Sequence, residues 1–476
     1  MSALSAKAFF GLTAVALALV STGAPHVSAE TIVLNVTNTI DLENAFDTIN
    51  GNITQDYELR LQAGHYKPSA PLGVDGAANR EVTIRPADGV LDPVKISGSN
   101  AHRVFDILSG RVLMKDITIA DGAASTSGAA LLVDEFGDVT LEFCLLIDNA
   151  SDVAGGAIHV RKGGGLGLLG STIQGGGVTG DTGPGGAILN EGSAAINGST
   201  IEDVDSPEGT LANRPFLDGD ADPDVGIEES TITGNGPDEN LPSPARSQGH
   251  VAADAAMVND GTATIRNSTI SHNRSLAGGA GIAALGGTVT VHNTIVASNT
   301  GGNCEEDGGV IVSDGFNLED ANTCHFNKSS DKRNTPAGLG ALRDNGGATR
   351  TRLPQASSAA LNTGGGTATV DQRGMRRPQG PRRDRGAVEV GFCFGARETK
   401  VGTVGKDTIN GTTGVDVIFG LAGNDKLVGR AGNDRLCGDA GTDQLLGGTG
   451  GADKCDGGPP ATGDTQSSCE TKVNIP

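Results

Sequence analysis

The residues best suited to chemistry in this sequence are aspartates and glycines that recur every nine positions near the C-terminus. From Gly402 the chain reads GTVGKDTIN, GTTGVDVIF, GLAGNDKLV, GRAGNDRLC and GDAGTDQLL, with aspartate at position six and an aliphatic residue at position eight. The aspartates are Asp407, Asp416, Asp425, Asp434 and Asp443. The glycines at positions one and four are Gly402, Gly405, Gly411, Gly414, Gly420, Gly423, Gly429, Gly432, Gly438 and Gly441. Carboxylate and carbonyl oxygens form the shell that Ca²⁺ takes, whereas Mg²⁺ retains its waters and zinc prefers His and Cys. The pattern therefore predicts Ca²⁺ sites built from these residues.

Each nonapeptide has the length of half a coil, with a glycine-rich turn followed by a three-residue strand. Successive turns alternate between two edges, so we expect one stack of Asp407, Asp425 and Asp443 and a second of Asp416 and Asp434. Stacked strands lie about 4.8 Å apart, and glycine lets backbone carbonyls point into the gap. Strands this short bury little surface and stacked carboxylates repel, so we expect calcium binding and folding to be one event. The alternative is that these aspartates only favour turns.

This array resembles the hemolysin-type (RTX) calcium-binding repeats. The resemblance covers about residues 395–470 and implies a β-roll over 396–476 with Ca²⁺ as its cofactor. A sixth repeat, GGTGGADKC, is slipped because Asp453 stands one position late. We expect it to be a frayed cap held by Cys455.

A second periodicity precedes the array and predicts the element that carries it. Between Met114 and Asn299 an aliphatic residue recurs seven times, five residues before another, at intervals of 26 to 38 residues. The pairs are Met114/Ile119, Leu141/Leu146, Leu168/Ile173, Ile196/Ile201, Ile227/Ile232, Ile265/Ile270 and Val291/Val296. This period is that of one solenoid coil, whose face is buried only against its neighbours. Before the ladder, Asp41–Asn50 has a helical pattern. We expect this helix to cap the first coil, with Asp41 as N-cap.

The repeated Ser-Thr-Ile and Gly-Gly-Ala-Ile coils, together with the stretch that follows them, resemble right-handed parallel β-helix proteins of bacterial surfaces with a choice-of-anchor module. That stretch includes Gly315-Phe316-Asn317-Leu318, Asp344-Asn345-Gly346-Gly347 and Asp371-Gln372-Arg373-Gly374. The resemblance implies fold and surface location but no activity. We predict an all-β chain with a signal peptide (1–29), a capped right-handed parallel β-helix (30–300), a closing choice-of-anchor-like segment (301–395) and a calcium-binding β-roll (396–476).

Composition and charge narrow the classes of partner. The chain has 476 residues and a formal net charge of −22, which disfavours nucleic acid and anionic membranes because these require excess Lys and Arg. Residues 1–29 contain Lys7, the apolar run 8–20 and the small residues Val27-Ser28-Ala29, as in a secretory signal. The apolar run is shorter than the roughly 20 residues that span a bilayer. We therefore expect an extracellular or cell-surface monomer with no transmembrane segment after cleavage.

Seven cysteines in an exported chain indicate disulfides and one remaining thiol. Cys144 occupies the inward position that serine fills in later coils, so we expect it to be buried and free. Although the sequence leaves connectivity open, we favour the pairs Cys304–Cys324, Cys393–Cys437 and Cys455–Cys469.

The sequence is compatible with two classes of function. The first is a non-catalytic adhesion or matrix module that contacts an extracellular glycan or matrix. The second is a calcium-dependent polysaccharide lyase or glycoside hydrolase acting on an acidic glycan. For the second class, Asp121 and Asp148 occupy equivalent corners of adjacent coils, and His159 and His272 are isolated basic spots. The absence of Trp leaves few residues for stacking on sugars, so the sequence favours the non-catalytic class.

Overall fold

The structure is a computed structural model that describes residues 31–52, 54–76, 80–179, 183–206, 208–215, 222–236, 255–275, 278–459 and 463–475. The predicted signal peptide lies outside the described residues. The described chain divides into two units, 31–336 and 337–475.

The first unit is a solenoid of short parallel strands preceded by one helix, α1 (Thr39–Gly51). Its strands up to the middle of the ladder are β1 (Ile32–Val36), β2 (Tyr57–Leu61), β3 (Gly64–Tyr66), β4 (Leu72–Val74), β5 (Glu81–Pro86), β6 (Val94–Ser97), β7 (Phe105–Lys115), β8 (Thr118–Ala120), β9 (Ala123–Ala124), β10 (Leu131–Glu142), β11 (Leu145–Ile147), β12 (Ala150–Ser151), β13 (Ile158–Val160), β14 (Gly165–Leu169), β15 (Thr172–Gln174) and β16 (Gly177–Val178). The remaining strands are β17 (Ile188–Asn190), β18 (Ser193–Asn197), β19 (Thr200–Glu202), β20 (Leu211–Asn213), β21 (Asp224–Glu228), β22 (Thr231–Thr233), β23 (Met257–Asn259), β24 (Thr262–Arg266), β25 (Thr269–Ser271), β26 (Ile282–Ala284), β27 (Thr288–His292), β28 (Ile295–Ala297), β29 (Cys304–Glu306), β30 (Val310–Ser313) and β31 (Leu318–Glu319).

Parallel pairing between successive coils builds the solenoid faces. One face contains two ladders of strands that share the long strands β7 and β10. The second face is a single ladder from β3 to β31. The third face is short and consists of β9, β12 and β16. All seven predicted aliphatic pairs lie in register, from Met114 opposite Leu141 to Ile270 opposite Val296, and all are buried. The solenoid strands continue to Glu319, beyond the boundary predicted at residue 300.

Polar side chains inside the coils form columns along the solenoid axis. Ser171 Oγ accepts the N–H of Cys144 (2.9 Å), and Ser199 Oγ accepts that of Ser171 (3.1 Å). At a corner, Asn273 Oδ1 accepts the N–H of Asn235 (3.2 Å). These bonds satisfy buried backbone groups that would otherwise destabilise the core. Cys144 is buried and free, as predicted.

The helix α1 caps the first coils, but the predicted N-cap is wrong. Asn38, in extended conformation, accepts the Asp41 N–H (3.0 Å) and is the N-cap. Asp41 lies in the first turn, where its carboxylate accepts the Thr37 N–H (3.1 Å). The helix buries its apolar face, and the ring of Phe46 lies 6.1 Å from that of Phe105.

The second unit begins with two antiparallel pairs and ends in a parallel roll. Its strands are β32 (Leu339–Arg343), β33 (Thr351–Pro354), β34 (Phe392–Cys393), β35 (Ala396–Arg397), β36 (Lys400–Val401), β37 (Thr408–Asn410), β38 (Val417–Phe419), β39 (Lys426–Val428), β40 (Arg435–Cys437), β41 (Gln444–Leu446), β42 (Lys454–Asp456), β43 (Thr465–Ser467) and β44 (Thr471–Val473). Even-numbered strands from β36 to β44 form one parallel sheet of the roll, and odd-numbered strands from β37 to β43 form the other.

The predicted fold class, an all-β right-handed parallel β-helix followed by a β-roll, is confirmed. The roll is thin, with a buried core of Ile418, Leu427, Leu436, Leu445, Cys455 and Cys469. The structure contains the three disulfides favoured from the sequence, at Cys304–Cys324, Cys393–Cys437 and Cys455–Cys469.

Candidate metal centre in the C-terminal roll

The repeat aspartates stand at the ends of the turns, each directly before a strand, and form two columns. On one edge, Asp425 Oδ1 accepts the backbone N–H of Asp407 (2.8 Å), and Asp443 Oδ1 accepts that of Asp425 (2.8 Å). On the other edge, Asp434 Oδ1 accepts the N–H of Asp416 (2.8 Å). Asp425, Asp434 and Asp443 therefore each use one carboxylate oxygen to hold the turn of the preceding coil. This arrangement agrees with the two stacks expected from the sequence.

In five aspartates the second carboxylate oxygen, Oδ2, is buried. It has no hydrogen-bond partner among the described residues. The five aspartates are Asp425, Asp434, Asp443, Asp453 and Asp464. Their residues are at most 5% exposed. A buried carboxylate oxygen without a partner is strongly unfavourable, and five of them in two columns provide the negative oxygen ligands that Ca²⁺ prefers.

The position-one glycines leave the space into which these oxygens point. A Cβ built on Gly420 would lie 2.6 Å from Asp425 Oδ2 and 2.7 Å from the carbonyl oxygen of Gly438. A Cβ on Gly438 would lie 2.3 Å from Asp443 Oδ2. Carboxylate and carbonyl oxygens therefore converge where a side chain would otherwise be, and the residues present fit a hard cation.

The first coil differs from the rest. Asp407 Oδ2 accepts the N–H (2.7 Å) and Oγ–H (3.0 Å) of Thr403, and Asp416 Oδ2 accepts the same groups of Thr412 (2.6 and 2.9 Å). In these two predicted ligands Oδ2 is therefore satisfied within the protein. The difference arises from threonine at position two of the repeat, which is outside the glycine, aspartate and aliphatic positions that define the pattern.

Burial raises the pKa of three carboxylates in these columns. It raises the pKa of Asp425 to about 7 and that of Asp443 to about 6, with the neighbouring aspartates adding to the effect, and it also raises the pKa of Asp434. Each of these carboxylates accepts a backbone N–H, which opposes the rise. The protein alone therefore disfavours the charged forms that a cation would stabilise.

Two residues of these columns were missed or misjudged from the sequence. Asp453, predicted to lie in a frayed cap, is buried and its Oδ1 accepts the N–H of Asp434 (2.8 Å). Asp464 Oδ1 accepts the N–H of Asp443 (2.7 Å). Asp464 escaped the pattern because its turn is longer and Gln466 stands where an aliphatic residue is expected. An aspartate directly before a strand was the available signal.

Side chains alone do not complete a metal shell here. Across the part of the chain that the structure describes, no three or more His, Cys, Asp or Glu side chains come together in a way that could hold a metal ion. The aspartates of each column are separated by one coil, so most ligands of a bound ion must be backbone carbonyls. This agrees with the glycine content of the turns.

Two arginines before the roll form internal ion pairs. Arg373 is fully buried and contacts Asp371 (3.1 Å) and Glu398 (2.8 Å), and Arg377 lies 3.4 Å from Glu389. Burial alone would lower the pKa of Arg373, but its two carboxylate partners hold it above the usual value. These two arginines are thus committed to the protein interior.

The carboxylate pair considered for catalysis is not supported. Asp121 forms an ion pair with Lys95 (2.8 Å) and accepts the hydroxyl of Ser97 (2.9 Å). Lys95 lowers the pKa of Asp121, so this carboxyl is unsuited to donate a proton near neutral pH. His159, by contrast, is not an isolated basic residue, because it contacts Ser127 and Glu191.

A stack of glycine turns with columns of unsatisfied carboxylates defines the roll as a calcium-binding repeat. The family model described as RTX calcium-binding nonapeptide repeat (4 copies) matches residues 401–436 and 422–452. The protein is therefore a calcium-binding repeat protein, and the predicted cofactor Ca²⁺ is confirmed. No curated protein and no solved structure gives a significant match to the chain. Among the described residues, no helix has the length and apolarity needed to span a membrane.

Proposed function

We propose that Ca²⁺ is held between stacked turns of the roll by the second carboxylate oxygens of five aspartates and by glycine carbonyls. The aspartates are Asp425, Asp434, Asp443, Asp453 and Asp464. The observation that carries this proposal is that each of them has one buried oxygen with no partner among the described residues. Asp407 and Asp416, predicted as ligands from the pattern, are left out of this inner set of five because Thr403 and Thr412 donate to their Oδ2 atoms.

The chemistry that the ion supplies is neutralisation of these columns. Without a cation, burial disfavours charge on Asp425 and Asp443 at neutral pH. The three-residue strands add little apolar burial to offset this. We therefore propose that the roll folds when it binds calcium, as expected where a site does not exist in the unfolded chain. Millimolar extracellular calcium would fold it, and the low calcium of the cytosol would leave it open.

The ligand set is tested by calcium stoichiometry of the full-length chain in equilibrium dialysis. Asp453→Asn and Asp464→Asn should each reduce the calcium bound at a subsaturating concentration. The matched variants Asp407→Asn and Asp416→Asn should retain it, because asparagine can still accept from the threonine groups. The reverse order would refute the ligand set. Far-ultraviolet circular dichroism with and without a chelator tests the coupling, and an unchanged spectrum would contradict it.

We further propose that the protein is a secreted or cell-surface monomer that acts in adhesion or matrix contact. Residues 1–29 resemble a signal peptide, and 301–395 resemble a choice-of-anchor module. The solenoid offers an extended outer surface that is suited to a polymeric partner such as an extracellular glycan. The net charge of −22 would favour contact through bridging cations where the glycan is acidic.

Retention on immobilised acidic glycans tests this role. The proposal predicts that full-length protein is retained in calcium, is released by chelator and does not cleave the glycosidic bonds of the glycan. No retention on any glycan tested would refute glycan adhesion. New unsaturated or reducing ends would instead establish the lyase or hydrolase alternative.

A further inference from the structure

Three polar side chains meet on three consecutive coils of the solenoid, far along the chain from the calcium-binding repeats. Ser127 Oγ lies 2.7 Å from His159 Nδ1, and His159 Nε2 lies 3.0 Å from Glu191 Oε2. The two steps have the same sequence separation, 32 residues. A hydroxyl, an imidazole and a carboxylate therefore form one continuous chain of hydrogen bonds.

The fold fixes this arrangement. His159 is the middle residue of β13, between the core residues Ile158 and Val160, so strand alternation directs it to the outer face. Glu191 directly follows β17 on the next coil, and Ser127, on the preceding coil, forms an isolated parallel bridge with Ala154. Neighbouring coils are about 4.8 Å apart, a distance that an imidazole ring and its two hydrogen bonds can bridge.

The carboxylate determines how the imidazole can act. A carboxylate can only accept a hydrogen bond, so the tautomer that fits this contact has its N–H at Nε2, facing Glu191. Nδ1 then carries the lone pair and accepts the hydroxyl proton of Ser127. This is the polarity required of a general base that activates a serine, with the third group orienting the base.

The three residues differ in their exposure to solvent. The side chains of His159 and Glu191 are 9% and 10% exposed, whereas Ser127 is partly exposed. In the strand register, Leu132 and Leu189 lie on either side of His159. Apolar neighbours strengthen the electrostatic interaction between the ring and the carboxylate.

The side chain of Arg103 holds the backbone at Ser127 and Gly128. Arg103 Nη2 donates to the carbonyl oxygen of Ser127 (2.7 Å), and Arg103 Nε donates to that of Gly128 (2.8 Å). Gly128 has a φ of +66°, and a Cβ there would lie 3.0 Å from the backbone nitrogen of His159. The backbone of the serine is thus fixed beside the histidine.

We propose that Ser127, His159 and Glu191 form a nucleophilic triad that hydrolyses carboxylic esters of short acyl groups at the solenoid surface. Ser127 Oγ attacks the ester carbonyl and its proton passes to His159 Nδ1. The same proton passes to the departing alcohol as the ester C–O bond breaks, which leaves an acyl-serine. Water then attacks the acyl-serine and gives a proton to His159 Nδ1. The bond between the acyl carbon and Ser127 Oγ breaks, this proton passes to Oγ, and the carboxylic acid is released. Glu191 is a positioning residue, and the open outer face fits an ester group carried on a polymer.

The test uses full-length protein in calcium with two probes, p-nitrophenyl acetate and a fluorophosphonate. We expect saturable hydrolysis and covalent labelling of Ser127, located by peptide mass spectrometry. Ser127→Ala should abolish the labelling and reduce kcat about 10³-fold or more. The matched control Ser125→Ala, an exposed serine two residues away, should retain both.

Glu191→Gln separates a catalytic arrangement from a structural one. It should lower kcat at least tenfold with KM changed less than about twofold, because it affects the base and leaves substrate contacts in place. A hydrogen bond that serves only folding would leave kcat unchanged in the folded variant. The proposal is overturned if wild-type protein neither hydrolyses the ester nor labels at Ser127, or if Ser127→Ala retains the wild-type rate. Neither result bears on calcium binding by the roll.

Discussion

Replacing Asp443 by asparagine should stabilise the roll without calcium and destabilise it with calcium. Asparagine can retain the side-chain oxygen that accepts the Asp425 N–H (2.8 Å). It replaces the buried second oxygen, which has no partner among the described residues, by an uncharged amide. The substitution therefore removes charge from the column while the turn that Asp443 fastens is kept.

The magnitude follows from the proton affinity of this carboxyl. Burial raises the pKa of Asp443 from 3.8 to about 6. At about 1.4 kcal/mol per tenfold change in proton affinity, keeping the group charged at pH 7.5 destabilises the calcium-free fold by about 3 kcal/mol. Asp443→Asn should remove about 2 to 3 kcal/mol of this destabilisation. With calcium it removes a charged ligand and should weaken binding at least tenfold, or about 1.4 kcal/mol.

Hydrogen exchange with mass spectrometry measures both effects in the full-length chain, because peptides from 402–459 report the opening free energy of the roll. We expect slower exchange of the variant in chelator and faster exchange at limiting calcium. The control Asp407→Asn should change the calcium midpoint less than about twofold, since Thr403 satisfies Asp407. If Asp443→Asn shifts exchange equally in both conditions, the aspartates only favour turns and the reasoning fails.

Three further predictions concern pH, glycine and the free thiol. Because the pKa of Asp425 is raised to about 7 from 3.8, the calcium-free roll should be most stable below about pH 4 and lose stability as pH rises through 7; thermal melts in chelator check this. Calcium binding near pH 6 should correspondingly release protons, which calorimetry in buffers of different ionisation enthalpy detects. Gly438→Ala would place a Cβ 2.3 Å from Asp443 Oδ2 and should weaken calcium binding roughly tenfold. The control Gly451→Ala should not weaken it, because no atom lies within 4 Å of the added Cβ. Calcium titration of the two variants compares them. Burial raises the pKa of the Cys144 thiol to about 12, so a thiol reagent should modify it only when the solenoid unfolds, and a fast reaction in native protein would contradict the buried position.

The sequence predicted the register of the solenoid because every coil repeats the same inward aliphatic positions. Ile173, Ile201 and Ile232 are consecutive partners in one ladder, and the pattern needs no knowledge of the loops between them. The same holds for the repeat aspartates, whose position before a strand follows from a constant nine-residue period. Regular spacing therefore carries most of the fold and most of the candidate calcium site.

The remaining features depend on side-chain contacts that no period encodes. Thr403 donates its hydroxyl to Oδ2 of Asp407, and the nine-residue period does not encode this contact because position two varies between repeats. Asp464 continues a column after a longer turn that breaks the period. Ser127 is 32 residues before His159, whereas the strand partner of His159 on that coil is Leu132, 27 residues before it. The repeat therefore does not predict this contact, which is seen only in the folded chain. Similarly, Arg373 pairs with Asp371 two residues away, but its second partner, Glu398, comes from 25 residues away.

An anomalous difference map from crystals of the full-length protein grown in calcium tests the central claim most directly. The account predicts peaks between stacked turns on both edges of the roll. Each peak should be in contact with a second carboxylate oxygen of the inner set that begins at Asp425 and ends at Asp464. A folded roll with no peak at these oxygens would contradict it.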